Sequence, residues 1–228
     1  MTDTMQQDTS VLRWGGLAGI TGSIVLIGVF VIVGVFVGAD PAEPEGFLTR
    51  FPEVRTAHLF ENGLYLAAIA LWTVHILALY QVLRSRPAPA LFGSALAILG
   101  LVMLAAGALP HLWQTPIAEL YHAPGATVDE QAALTVMWQS TQGIFSALLV
   151  VGLLVIPAGY ILLGIAMHGT PNLGAIFGRL SIGLGVVGLA AASVALVEIS
   201  TVAAAGVFAV IIFHIVLGWK TYRLSNLP

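Results

Sequence analysis

His58, Glu61, Asn62, Tyr65 and Trp72 recur at helical spacing, with His75 more loosely in line, in a stretch otherwise dominated by apolar residues. An imidazole and a carboxylate one helical turn apart can both reach a single cation. His58 and Glu61 stand in that relation, and His111 or Glu198 would complete the shell, so the candidate metal ligands are His58, Glu61 and His111. The same region offers a pocket for a small ligand, lined by Glu61, Asn62, Tyr65, Gln139, Gln142 and Glu198. No HExxH accompanies these residues, so the spacing alone does not specify a metal.

Haem is the other cofactor that the histidines suggest. His58 would face His111 at one end of the molecule, and His75 would face His214 or His168 at the other. His58 and His75 lie about 25 Å apart along a helix and about a quarter turn apart around it, which fits two haems and not one. Other chemistries are excluded more firmly. There is no cysteine, which removes disulfides, thiolate metal sites and iron–sulfur clusters together. The single lysine, Lys220, lies beyond the last apolar stretch, so a retinal Schiff base inside the helices is excluded. No G-x-S-x-G appears.

These residues sit in a chain that is 58% hydrophobic and 8% charged, a composition unable to make a water-facing surface. A hydrocarbon core about 30 Å thick needs about 20 helical residues to cross it. The apolar stretches supply that length at Trp14 to Gly38, His58 to Leu83, Ala90 to Leu109, Ile144 to Met167, Leu173 to Val197 and Val202 to Trp219. The expected fold is all-α: one polytopic membrane domain over 1–228, a bundle of six transmembrane helices. A loop over 110–135 joins the third and fourth spans, and a tight hairpin at Glu198 joins the last two. The first span is too long for a secretory h-region and follows a segment carrying Asp3 and Asp8, so it reads as a span.

Arg13, Arg84, Arg86, Arg179, Lys220 and Arg223 fall on one side of this drawing and only Arg50 and Arg55 on the other. The positive-inside rule then puts both termini in the cytoplasm and the Glu61 region in the outer leaflet of the cytoplasmic membrane. A net charge of −3 without a basic patch argues against nucleic acid as a partner. The expected partners are the lipid bilayer and a small-molecule or ion ligand.

Helices in lipid approach through small residues. Gly93, Gly100 and Gly107 recur every seven residues, with Ala97 between the first two and the larger Leu104 between the last two, so the seam is tightest in its first half. Gly15 with Gly19, and Gly174 with Gly178, fit the same pattern. Such faces serve packing inside the bundle or a homodimer. Thr127 and Glu130 read as a capping box, Pro157 as a mid-span kink, and Thr170-Pro171 as the cap and first residue of the fifth span.

The stretches Leu79-Tyr80-Gln81-Val82-Leu83-Arg84, Gly143-Ile144-Phe145, Gly159-Tyr160-Ile161-Leu162-Leu163-Gly164 and Pro171-Asn172-Leu173-Gly174, with the glycines from Gly183 to Gly188, carry a further expectation. Their order resembles a bacterial six-span integral membrane protein family of unknown function. The resemblance implies a fold and a location, and no catalytic residues. The functional expectation is binding or conduction of a small ligand or ion at a polar pocket, with a metal- or haem-dependent redox or hydrolytic enzyme as the alternative.

Overall fold

The computed structural model describes residues 2–38, 44–196 and 202–226, and among them every regular element is helical. The elements are α1 (Thr2–Ile32), continued by a π-helical turn over Val33–Val37, then α2 (Pro44–Val82), α3 (Pro87–Tyr121), α4 (Val128–His168), α5 (Gly174–Ala195) and α6 (Val202–Leu224). All six helices are long and apolar enough to cross a membrane. Their outward residues include Ile24, Phe30, Phe92, Val102, Val186 and Phe208, all exposed. That surface suits hydrocarbon and not water.

Each helix packs on its neighbours in chain order, and α6 returns to α1, so the six close into a ring. Helices α2, α4 and α6 also touch one another across the middle. Glycine sets how closely they approach. A Cβ on Gly93 would lie 2.8 Å from the Leu163 nitrogen, and one on Gly159 would lie 2.6 Å from the Gly93 carbonyl oxygen. The α3–α4 seam is therefore backbone against backbone. At Gly107 the nearest neighbour is an ordinary 3.5 Å away, so the seam loosens where Leu104 interrupts the small residues. Gly218 is held against Gly16 across α6 and α1, and Gly178 against Gly164 across α5 and α4. These surfaces are occupied within the chain. Pro157 lies inside α4, where its ring and carbonyl abut Gly188 and Gly185 of α5.

The structure corrects the sequence reading at one end of the bundle. The expected loop over 110–135 is mostly helix: α3 runs through Pro110 and Pro116 to Tyr121, and α4 begins at Val128 after a short turn. Helix α2 likewise begins well before His58. These extensions pack on one another through Leu48, Phe51, Val54, Ile117, Ala118 and Trp138. His122 donates from Nε2 to the Leu48 carbonyl at 2.6 Å, and Arg55 pairs with Glu119 at 2.8 Å. The result is an apolar cap on the bundle. The capping box forms as expected, with Thr127 and Glu130 bonding each other's backbone nitrogens. Thr170 and Pro171 instead belong to a turn, and α5 starts at Gly174, whose φ of +74° makes it the pivot. The hairpin expected at Glu198 lies outside the described residues.

Candidate functional site

Beneath the cap, α2 and α3 bring three of the sequence-flagged side chains together. His58, Glu61 and His111 each offer a donor atom, and these atoms lie within 4.8 Å of one another. His58 is wholly buried and Glu61 is 3% exposed. The helical spacing of residues 58, 61, 62 and 65 turns these groups to one face of α2, and α3 supplies His111 because it continues as helix past Pro110.

Hydrogen bonds fix the orientation of each group. Asn62 donates from Nδ2 to the His58 carbonyl at 2.7 Å, which aims its Oδ1 at His111 Nδ1, 3.0 Å away. His58 Nε2 lies 3.3 Å from the His111 carbonyl, and His58 Nδ1 lies 3.2 Å from Glu61 Oε1. Glu61 Oε2 is buried without a hydrogen-bond partner. Rings wall the site: Phe47 packs edge-on to His58, and Phe145 stacks on His111 at 4.8 Å.

A cavity of about 260 Å³ opens beside this cluster. Its polar lining is Glu61, Asn62, Tyr65, His111, Gln114 and Gln142. Its body is apolar, lined by residues such as Leu26, Val29, Leu149, Leu153, Val207 and Val210. Gln142 accepts from Gln114 Nε2 at 2.8 Å, and Tyr65 donates to the Leu104 carbonyl at 3.3 Å.

Gln139 is not part of this lining. It is exposed, because Trp138, Gln142, Phe145 and Leu149 take the inward face of α4 and the neighbouring position is turned about 100° away. Glu198 lies outside the described residues. Gln114 and Trp138 were not among the expected site residues, although Gln114 is wholly buried with its Oε1 unpartnered. Its signal was a polar residue one turn beyond His111, legible only once α3 is known to continue.

A second polar group occupies the centre of the ring, where α2, α4 and α6 meet. His75 and His214 approach Nδ1 to Nδ1 at 2.7 Å, and His214 Nε2 lies 2.9 Å from the Tyr160 hydroxyl. Trp72 stacks on His214 at 4.6 Å and donates to Ser23 of α1 at 3.2 Å. His168 is exposed at the end of α4. This geometry counts against haem. Two imidazoles on opposite faces of one iron hold their ligating nitrogens about 4 Å apart at metal–nitrogen bonds of about 2 Å, with a macrocycle between them. Here the nitrogens of His75 and His214 touch, and the His58 and His111 rings are 4.7 Å apart centre to centre, crossed at 73°.

Six long apolar helices closed into a ring around buried polar groups define an all-helical bundle of membrane-spanning type. Comparison with family models, curated proteins and solved structures finds no match to the chain.

Proposed function

We propose that this protein is a multi-pass protein of the cytoplasmic membrane that binds a small, largely apolar molecule in the cavity, reading its polar head with Glu61, Asn62, His111, Gln114 and Gln142. The single observation that carries the reading is Glu61 Oε2: an acceptor buried without a partner, on a side chain that lines a cavity. A buried carboxylate oxygen costs free energy unless something bonds to it. The free Oε1 of Gln114 adds a second unmet acceptor on the same wall. The volume is close to the lower end of ligand pockets, about 300–1,000 Å³, and the lining matches their pattern of apolar walls with few convergent polar groups.

A short alkyl alcohol bearing a photoactivatable diazirine tests this. Adducts are expected on Phe145, Leu149 and Val207, all of which line the cavity. Leu149→Trp, which fills the apolar half, is expected to remove them. Adducts confined to outward residues such as Phe92 and Phe208, with none in the cavity, would overturn the reading.

A further inference from the structure

The proton positions in the cluster carry the site further. A backbone carbonyl only accepts, so His58, facing the His111 carbonyl from Nε2, carries its proton there. Asn62 has its amide nitrogen committed to the His58 carbonyl, so its Oδ1 accepts from His111, whose proton therefore sits on Nδ1. In the neutral rings this leaves bare lone pairs on His58 Nδ1 and His111 Nε2. His58 Nδ1 then faces Glu61 Oε1 at 3.2 Å, lone pair against lone pair, with the other carboxylate oxygen unpartnered. That contact is favourable only with a positive charge between them, and a proton satisfies one of these positions while a metal ion satisfies all three.

We propose that His58, Glu61 and His111 bind one divalent transition-metal ion of the zinc type, with Asn62 as the positioning residue that fixes the His111 tautomer. Two imidazoles and a carboxylate are a complete protein shell for a zinc ion that keeps one position open. One ligand atom from each residue lies within 4.8 Å of the other two, and the set must close to about 3.3 Å for tetrahedral bonds of about 2.0–2.1 Å. Asn62 supplies the hydrogen bond to the non-ligating nitrogen that ligating histidines ordinarily have. Because Glu61 and His111 also line the cavity, the open position faces it. The inference rests on the cavity reading for its ligand class: an apolar molecule whose head is a Lewis base, such as a carboxylate, thiol or hydroxamate.

The test is titration of the full-length, chelator-treated protein in detergent with Co2+, followed by displacement with Zn2+. One equivalent per chain is expected, with visible absorption bands of a low-coordinate Co2+ ion that vanish on adding Zn2+. Glu61→Gln and His111→Gln are each expected to weaken Co2+ binding at least about tenfold, and Asn62→Leu by about 10- to 100-fold with all three ligands still present. His168→Asn, an exposed histidine outside the cluster, controls for surface binding and is expected to leave the titration unchanged. Failure of the unaltered protein to bind one equivalent overturns the proposal, as does wild-type affinity in either folded ligand variant. Photolabelling of the metal-free protein separates the two readings. Cavity adducts without Co2+ binding sink the metal site alone, whereas loss of both sinks the cavity reading as well.

Discussion

His75 and His214, on two helices that meet across the ring, face each other through their Nδ1 atoms at 2.7 Å, and Tyr160 extends the contact from His214 Nε2. Three ring groups bring three protons to two contacts, so one proton is left at an end, on His75 Nε2 or on the Tyr160 oxygen. His75 Nε2 has no other partner in its buried position. Replacing His214 with Phe is expected to strand Tyr160 and His75 together, at about 1–3 kcal/mol for each orphaned group. Tyr160→Phe, which removes one bond and strands only His214 Nε2, is expected to cost about 1–3 kcal/mol, less than the loss at His214. Denaturant unfolding in detergent ranks the two variants, and equal losses would contradict this arrangement.

The α3–α4 seam predicts opposite outcomes for two glycines in one repeat. At Gly100 a Cβ would lie 2.8 Å from the Ile156 backbone nitrogen, which cannot swing aside. Gly100→Val is expected to cost about 1–3 kcal/mol or more. At Gly107 the space is open to 3.5 Å, and Gly107→Ala is expected to be neutral or stabilising by up to about 1 kcal/mol, since Ala is the better helix former. Thermal midpoints of the two variants check this.

In the cap, charge is expected to matter less than packing. Arg55 and Glu119 pair at 2.8 Å, but both side chains are about half exposed, so Arg55→Ala is expected to cost at most about 1 kcal/mol. Phe51 is 2% exposed within the apolar cluster and packs edge-on to His58. Phe51→Ala is expected to cost about 3–5 kcal/mol and to weaken metal binding by loosening the wall of the site.

Orientation is expected to follow the basic residues. Arg84, Arg86, Lys220 and Arg223 lie toward the end of the bundle opposite the cap, so the positive-inside rule puts both termini in the cytoplasm. A reporter fused at the C-terminus is expected to signal from the cytoplasm and one at Gly125 from outside. The reverse pattern would place the Glu61 site in the inner leaflet.

Apolar length and glycine spacing make the helices and the α3–α4 seam legible in the sequence, because both constraints act along one helix at a time. The stripe on α2 was legible for the same reason: His58, Glu61, Asn62 and Tyr65 obey helical spacing without reference to a partner. What was not legible depended on neighbours. Pro110 and Pro116 each remove a helical hydrogen bond and normally mark a helix end, yet α3 continues through them, packed against α2 and α4. Gln139 and Gln142 differ by less than one turn, and only the burial of Trp138 decides which faces inward. Tyr160 lies in an apolar run, where its hydroxyl gives no periodic signal until His214 is brought to it from 54 positions away.

The ring order of the helices has a consequence for how the chain is made. Every helix except the first settles against the one synthesised just before it, so five of the six ring contacts become available in order as the ribosome delivers them. The contact between α1 and α6 must wait. Until then Gly16, the bare patch that later receives Gly218 and Tyr222, is open to lipid, and the central imidazole pair does not exist. The polar cluster between α2 and α3 can therefore form early, whereas the imidazole pair at the centre of the ring is assembled only by the contact that closes it.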